Sequence, residues 1–245
     1  MELYKKGEIK IKYMGSKNRI SKQLLPIILK DRREGQYFYD LFCGGGNICD
    51  KVNGNIVAND YNKYTIGALE LIRDNIDEIP KDNLEFTEVD YKDVKGFINK
   101  QIGYQGYVGF ALSYGGKWFG GWRRDKKGKR DYVAESYRNA IKQSPNLQNV
   151  EFLSMNYNKV PIQPNSIIYL DPPYRNTTKY FTGEFDYDKF YQWCIDKNNE
   201  GHQVFISEYY MPEGQFECVW SKEVNSSLTK NTGGKKNVEK LFIVK

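Results

Sequence analysis

The chain has 245 residues, enough for one α/β domain with an insertion or for two small lobes around a sizeable core. Its 37 basic and 31 acidic residues give a formal charge of +6, which suits a polyanionic partner, and 15% aromatic residues predict that some aromatic side chains lie on a working surface. Four cysteines without a Cys-x-x-Cys pair, a single histidine and no membrane-length apolar run argue against a zinc site and a membrane span, and predict free thiols in a soluble cytoplasmic protein.

A glycine turn with basic residues opens the informative part of the chain, and an amphipathic helix is predicted from Ser21 towards Lys30. Lys17 lies in this turn beside Gly15 and Ser16, where it is placed to hold a small anion such as a carboxylate or a phosphate. The alternative is a solvated lysine on a turn.

The aromatic, apolar stretch of residues 37–43 predicts a strand that runs into Gly44, Gly45 and Gly46 and then into a helix. Glycines in this position let the backbone pass close to a ligand, and a helix N-terminus presents free N–H groups. The stretch lacks the Gly-x-Gly-x-x-Gly of dinucleotide binders and the Gly-Lys-Ser/Thr of phosphate loops, so it supports neither NAD nor ATP. A cofactor loop and a tight structural turn both remain open.

A second short strand, residues 56–59, ends at Asp60. An acid at the end of the second strand is placed to accept both hydroxyl groups of a ribose, which together with the glycine loop predicts a nucleoside site. Alternatively, Asp60 caps the helix that is predicted over residues 64–73.

The sequence pattern changes over residues 64–149. Apolar residues at helical spacing, a capping box at residues 87–90 and a helix over residues 133–142 that ends near Pro145 predict a mainly helical segment. Six of the eight residues 123–130 are basic, and glycine-rich aromatic stretches on either side predict a β-hairpin that contacts DNA. The alternative is a solvated basic tip with aromatic side chains packed beneath it.

Residues 166–174 read Ser-Ile-Ile-Tyr-Leu-Asp-Pro-Pro-Tyr, which predicts a buried strand that stops at Asp171. Open α/β sheets place their chemistry in the loops outside the carboxyl ends of strands. Here the Asp171 carboxylate and the Pro172 carbonyl are rigid acceptors for the two hydrogens of an amino group on a planar base, and Tyr174 offers a face for stacking. The alternative is a strand that ends in a proline turn. Further strands are predicted at residues 150–154, 203–207 and 241–244, with a helix over residues 187–197.

Taken in order, the turn at Lys17, the glycine loop, Asp60 and the Asp-Pro-Pro-Tyr motif resemble the Dam-type (D12 class) DNA adenine N6-methyltransferases over nearly the whole chain. The resemblance implies a Rossmann-like methyltransferase sheet, mainly parallel with helices on both faces, formed by residues 1–63 and 150–245 as a catalytic, S-adenosylmethionine-binding domain. It implies that residues 64–149 form a helical DNA-recognition insert with a β-hairpin. Double-stranded DNA is the implied partner, with no metal, and the protein is expected to be a monomer or weak dimer in a bacterial or phage-infected cell.

The resemblance assigns roles to particular residues. The catalytic residues are Asp171, Pro172, Pro173 and Tyr174. The residues that bind S-adenosylmethionine are Tyr13, Lys17, Asp40, Phe42, Gly44, Gly45, Gly46, Asn47, Asp60, Asn156, Tyr157 and Asp171. The predicted DNA contacts are Lys117, Trp118, Trp122, Arg123, Arg124, Lys126, Lys127 and Arg130. Two positions depart from the family: Tyr13 stands where tryptophan is usual, and Asn156 and Tyr157 stand where an acid and a phenylalanine are usual.

The implied reaction is site-specific transfer of a methyl group from S-adenosylmethionine to the N6 amino group of an adenine that is flipped out of duplex DNA. N4-methylation of cytosine, an RNA substrate and a non-catalytic DNA-binding relative are the alternatives. A restriction partner, a phage origin and regulation of a host are equally open as biological settings.

Overall fold

A seven-stranded sheet forms the centre of the computed structural model, which describes residues 12–96, 101–125, 127–175, 185–225 and 236–245. The strands are β1 (Phe38–Asp40), β2 (Ile56–Asn59), β3 (Val150–Leu153), β4 (Ile167–Leu170), β5 (Gln203–Glu208), β6 (Phe216–Asn225) and β7 (Lys236–Val244). They lie in the order β3-β2-β1-β4-β5-β7-β6. Strands β1 to β5 run parallel, and β7 runs antiparallel to both of its neighbours. The predicted mainly parallel sheet is confirmed.

The central strands are short and apolar because both of their faces are covered. Every residue of β1, β2 and β4 is buried, which is the pattern of parallel strands that carry helices on both sides. In register, Phe38 of β1 pairs with Ile56 of β2 on one side and with Ile167 of β4 on the other. The strand order therefore reverses between β1 and β4, and this pair is the topological switch point of the sheet.

Helices cover both faces of the sheet. The structure contains α1 (Ser21–Ile28), α2 (Lys63–Asp74), α3 (Glu88–Gly96), α4 (Ile102–Ala111), α5 (Tyr132–Leu147) and α6 (Tyr187–Asn199). Alternate residues of β4 divide between two core clusters: Ile167 and Tyr169 join the one that contains α1, α2, α4 and α5, while Ile168 and Leu170 join the one that contains α6. The two-sided arrangement expected from the sequence is confirmed.

Local signals set where the helices begin. One half of the predicted capping box forms, because Asp90 Oδ2 accepts the Thr87 N–H at 2.7 Å; the Thr87 hydroxyl donates to the same oxygen at 2.6 Å. Asn62 accepts the Tyr64 N–H at the start of α2, and Asp131 accepts the Ala134 N–H at the start of α5. These short polar side chains satisfy amide groups that have no partner inside the helix.

Helix α5 does not end before Pro145, so the predicted end was wrong. The helix continues to Leu147, whose side chain is fully buried in the core. Proline costs a helix one hydrogen bond and crowds the carbonyl four residues earlier, but here the last turn is held by packing and by the Asn146 side chain, which donates to the Lys142 carbonyl. Tertiary contacts outweigh the local signal here.

The described residues of the segment 64–149 build on the same core as the sheet. Ile66 of α2 and Ala140 of α5 belong to the cluster that contains Phe38 and Ile56. The predicted hairpin is not formed as two strands: the described residues of this stretch have one antiparallel bridge, between Ser113 and Trp122, and beyond it the Gly128 N–H donates to the Asp125 carbonyl. Asp125 explains the turn, because its carboxylate accepts backbone N–H groups from the residues that follow it and draws the chain into a local loop.

The described residues show the state of the cysteines and the character of the helices. All four cysteines are free thiols, and three of them are buried. Within the described ranges, no helix combines the length and the apolar character needed to cross a membrane. The same residues contain no group of three or more histidine, cysteine, aspartate or glutamate side chains that could hold a metal ion.

Candidate active site

The two predicted working loops leave neighbouring strands at the same edge of the sheet. The glycine loop follows β1 and the Asp-Pro-Pro-Tyr segment follows β4. The Leu41 N–H, one residue beyond β1, donates to the Tyr169 carbonyl in β4 at 3.1 Å. Open α/β sheets bind ligands at such a reversal of strand order, so the two loops lie side by side where a ligand is expected.

The glycine loop is shaped to carry the side chain of Tyr13. Gly44 and Gly46 adopt φ values of 49° and 70°, which residues with a side chain rarely adopt. A Cβ atom on Gly44 would lie 2.7 Å from the Tyr13 ring, and one on Gly45 would lie 2.8 Å from Tyr13 Cβ. The absence of side chains therefore lets Tyr13, a predicted cofactor residue, pack directly on the loop backbone.

No α-helix follows the glycines, so that prediction was wrong. The chain instead forms a 3₁₀ turn, Cys49–Lys51. The Lys51 side chain is buried, donates to the Asn47 carbonyl and lies 2.8 Å from Asp50 Oδ1. This ion pair beneath the loop holds the chain in a tight turn where the sequence pattern had indicated a helix.

A buried glutamine ties the loop to α5. The Gln143 side-chain amide donates to the Gly45 carbonyl at 2.9 Å and to Asp50 Oδ2 at 3.1 Å. Both bonds are buried, so each replaces a contact with water that the loop would otherwise need. Nothing in the sequence pattern of α5 had marked Gln143 as a support for the loop.

Asp60 faces the glycine loop and does not cap α2. Its Oδ2 accepts the Gly44 N–H at 3.0 Å and its Oδ1 accepts the Asn62 N–H at 2.9 Å, while Asn62 itself is the cap of α2. Burial raises the pKa of Asp60 to about 6, against the lowering effect of the two N–H groups. A carboxylate oxygen accepts more than one hydrogen bond, so both oxygens retain capacity for hydroxyl groups of a ligand.

Asp40 lies beneath the junction of the two loops. Its carboxyl group is buried at the end of β1, and its pKa is raised well above the ordinary value, first by burial and then by the nearby Asp171 carboxylate. A buried acid of this kind is stabilised by a cation placed beside it.

Lys17 reaches from the N-terminal turn to the Asp-Pro-Pro-Tyr motif. Its Nζ lies 2.9 Å from Asp171 Oδ1 and 4.5 Å from the centre of the Tyr174 ring. Only 7% of the residue is exposed, so the alternative of a solvated lysine is excluded. The structure thus joins two motifs that are far apart in the sequence.

The Asp-Pro-Pro-Tyr motif combines a mostly buried acid with a fixed ring. Burial raises the pKa of Asp171, and the Lys17 ammonium opposes that shift. The Pro173 carbonyl accepts the Tyr187 hydroxyl at 2.8 Å, which anchors the second proline to α6. The Tyr174 ring packs edge-on against Tyr209, with 4.4 Å between ring centres.

Two acids at this edge were missed by the sequence reasoning. Glu208 ends β5 and is buried, and burial raises its pKa to about 7. Glu239 lies on β7, where its Oε2 accepts the Tyr174 hydroxyl at 2.9 Å and lies 3.9 Å from Lys17 Nζ. Glu208 had a signal, since it comes directly after the apolar run predicted at residues 203–207, much as Asp60 and Asp171 come after theirs. Glu239 had none, because its strand runs in the opposite direction.

Asn156 and Tyr157 follow β3, at the far end of the same sheet edge. Asn156 is exposed, and its side chain accepts the Asn158 N–H at 3.4 Å. The Tyr157 ring lies 5.4 Å from that of Phe42, so two of the predicted cofactor residues are in contact. In strand order, the predicted cofactor residues therefore follow one another along β4, β1, β2 and β3.

The predicted DNA contacts divide into buried and exposed residues. Arg123 is buried, pairs with Glu135 at 2.6 Å and lies over the Tyr132 ring, so it supports the segment from inside. Trp118 and Trp122 pack against other aromatic rings. The exposed members of the set are Lys117, Arg124, Lys127 and Arg130; Lys126 lies outside the described residues.

The charges at the sheet edge favour a ligand that carries a cation. The acids are Asp40, Asp60, Asp171, Glu208 and Glu239, and the lysine among them is Lys17. Raised pKa values at four of these acids have burial as their largest cause, so their neighbouring donors and Lys17 compensate their ionised forms only in part. Beside the loop, the buried side-chain amide of Asn47 has no hydrogen-bond partner among the described residues. S-adenosylmethionine, with a sulfonium, an ammonium group and ribose hydroxyls, fits this set of groups.

The strand order, with an antiparallel β7 inserted beside β5, and a site built on the loops after β1 and β4 define a Rossmann-like methyltransferase fold. Residues 13–106 match the family of D12 class N6 adenine-specific DNA methyltransferases. The resemblance seen in the sequence is confirmed over these residues, and the match supports methyl transfer as the chemistry of the site.

Two solved structures of the rRNA methyltransferase aviRa from Streptomyces viridochromogenes are similar to the chain. One aligns with a TM-score of 0.43 and 8% identity, covering 95% of this chain and 86% of that chain. The other aligns with a TM-score of 0.41 and 8% identity, covering 93% and 84%. The fold assignment rests on the strand order and not on this likeness.

Proposed function

We propose that the protein transfers the methyl group of S-adenosylmethionine to the N6 amino group of an adenine that is flipped out of duplex DNA. The observation that carries the proposal is the ion pair between Lys17 and Asp171, since it brings the N-terminal turn onto the Asp-Pro-Pro-Tyr motif beside the glycine loop. The match of residues 13–106 to adenine methyltransferases of DNA supports the choice of base and of nucleic acid.

The target base would be held by groups that follow β4. The Asp171 carboxylate and the Pro172 carbonyl would accept the two amino hydrogens, which favours a more tetrahedral and nucleophilic nitrogen. Stacking on Tyr174 would contribute about 1–3 kcal/mol. Extrusion of the base from the duplex costs a few kcal/mol, so these contacts offset a large part of it.

The cofactor would lie along the glycine loop. When bound, it would supply a methyl group on a sulfonium: the bond from carbon to the amino nitrogen would form as the S–C bond breaks to leave a neutral thioether, and the surplus amino proton would leave through its hydrogen bond to the Asp171 carboxylate. Asp60 would accept hydroxyl groups of the ribose, Lys17 would pair with the carboxylate of the methionine part, and Tyr13 would pack beside it. The Lys17 ammonium has three N–H donors, so it can contact that carboxylate as well as Asp171 Oδ1, and Asp171 keeps acceptor capacity for the amino group.

The exposed basic residues would contact the DNA backbone. Lys117, Arg124, Lys127 and Arg130 are exposed and belong to the segment inserted between β2 and β3. Phosphate contacts of this kind fix the register of a protein on a duplex without reading its sequence. Arg123 would act indirectly, by holding the segment in shape through Glu135.

A methyl-transfer assay tests the proposal. The protein is incubated with tritiated S-adenosylmethionine and, in separate reactions, with plasmid DNA from a methylation-deficient host or with RNA; the nucleosides are then separated by chromatography, counted and identified by mass. We expect the label in N6-methyladenine. Label in N4-methylcytosine would show that the target base is cytosine, and label in RNA alone would show that the substrate is RNA. Binding of DNA with no transfer would show that the protein is a non-catalytic relative.

A further inference from the structure

Among the described residues, Glu239 is the site group that comes from the antiparallel part of the sheet. It lies on β7, which pairs with β5 through Glu208 and Lys240. Its side chain is 14% exposed and points towards the Asp-Pro-Pro-Tyr motif, where Oε2 accepts the Tyr174 hydroxyl at 2.9 Å. Its other oxygen lies 3.5 Å from the Tyr209 hydroxyl.

The bond to Tyr174 indicates a role in orientation. Stacking on a base uses the face of an aromatic ring and makes no use of a phenol hydroxyl. A hydrogen bond from that hydroxyl to a charged acceptor fixes the far end of the ring, and the edge-on contact with Tyr209 at 4.4 Å limits rotation from the side. The ring is therefore held in one orientation before any base arrives.

The position of Glu239 is not explained by a need to neutralise the charge of Lys17. The carboxylate nearest to the Lys17 ammonium is that of Asp171 at 2.9 Å, whereas Glu239 lies at 3.9 Å, beyond hydrogen-bond distance. The short contact of Glu239 is the one to Tyr174. Glu239 contributes to the electrostatic field around Lys17, but of Lys17 and Tyr174 only the Tyr174 hydroxyl lies within hydrogen-bond distance of its Oε2.

We propose that Glu239 is a positioning residue, which holds the ring of Tyr174 through its hydroxyl at the angle required for stacking of the target base. The proposal rests on the function proposed above, since it supposes that a flipped base stacks on this ring. Loss of the bond lets the ring turn, so that fewer encounters place the amino nitrogen in line with the methyl group.

A double-mutant cycle tests this role. The variants are Glu239→Gln, Tyr174→Phe and the two combined, with Glu217→Gln as the control, because Glu217 is an exposed glutamate on β6 of the same β6–β7 pair. Turnover on DNA gives kcat and the apparent KM. A second readout does not depend on methyl transfer. It is the fluorescence of a duplex that contains the enzyme's recognition sequence, with 2-aminopurine in place of the target adenine.

We expect Glu239→Gln to lower kcat about tenfold and to lower the fluorescence rise on binding, and Tyr174→Phe to do so at least as strongly, because it removes the bond to Glu239 and also the hydrogen bond to Asp171. The combined variant should be no worse than Tyr174→Phe alone, and Glu217→Gln should match wild type. Wild-type kcat and fluorescence in Glu239→Gln would overturn the proposal, as would losses that multiply in the combined variant. If the wild-type protein transfers no methyl group to DNA, the proposed function itself is wrong. That result comes from the wild-type protein alone and is therefore distinct from a failure of the Glu239 proposal.

Discussion

At the scale of single residues, the site contains four acids whose pKa values burial raises: Asp40, Asp60, Asp171 and Glu208. Asp60 and Glu208 have pKa values raised to about 6 and about 7, and burial is the largest cause for both. An acid whose pKa is raised in the folded state binds its proton more tightly there than in the unfolded chain, so its ionisation opposes folding. Ionised Asp60 and Glu208 therefore lower the free energy of unfolding of the protein.

Glu208 gives a test of this cost. Between about pH 4.5 and about pH 7 the unfolded chain has lost this proton while the folded chain retains it, so Glu208 makes the free energy of unfolding fall as pH rises. We expect Glu208→Gln to flatten that fall and to raise stability above about pH 7 by roughly 1–3 kcal/mol. Urea denaturation across this range measures it, with exposed Glu213→Gln as control. An equally steep fall in Glu208→Gln would contradict the assignment.

Asp60 links pH to cofactor binding. Below about pH 6 the carboxylate becomes protonated and is a weaker acceptor for ribose hydroxyl groups. We expect the dissociation constant for S-adenosylmethionine, measured by calorimetry, to rise as pH falls through this value. Asp60→Ala should weaken binding roughly 10–100-fold at neutral pH, since a charge-assisted hydrogen bond contributes about 1.5–3 kcal/mol. Unchanged affinity in Asp60→Ala, with exposed Asp77→Ala as reference, would remove Asp60 from the cofactor site.

At the scale of elements, the glycine loop depends on close packing with Tyr13. A methyl group on Gly45 would lie 2.8 Å from Tyr13 Cβ, an atom that moves only with its backbone. We expect Gly45→Ala to displace Tyr13 and to lower affinity for S-adenosylmethionine at least several-fold. Gly96→Ala is the matched control, since nothing lies within 4 Å of the added atom at the end of α3. Wild-type affinity in Gly45→Ala would show that the position of Tyr13 is immaterial.

The strands that position the site were predictable, and the elements that support it were not. Apolar runs that stop at an acid marked β2 and β4, because a fully buried parallel strand has no polar face to obscure the pattern. Strand β6 was missed, since it lies at the edge of the sheet and carries exposed charges such as Glu217 and Lys222. Gln143 and Glu239 act through contacts between elements that are distant in sequence, which a local pattern does not contain.

At the scale of the whole molecule, positive charge lies on the inserted segment while the sheet edge holds the acids. Neutralising Arg124 and Lys127 together should weaken DNA binding and reduce the slope of log affinity against log salt by about 1–2, since each phosphate contact contributes roughly 0.9. Lys30 and Arg33 are exposed in the connection before β1 and serve as a matched pair of controls. An unchanged salt slope in the first pair would leave the basic turn as a solvated surface.

The central claim is that the acid after β4 and the glycine loop after β1 form one site for methyl transfer to adenine. The most direct measurement is the N6-methyladenine content of DNA from methylation-deficient cells that express either the wild-type protein or Asp171→Ala, with exposed Asp188→Ala as control. We expect N6-methyladenine at a defined sequence with the wild-type protein and with the control. Asp171→Ala should leave none above background while still binding DNA. Wild-type levels of the modified base in Asp171→Ala would contradict the account.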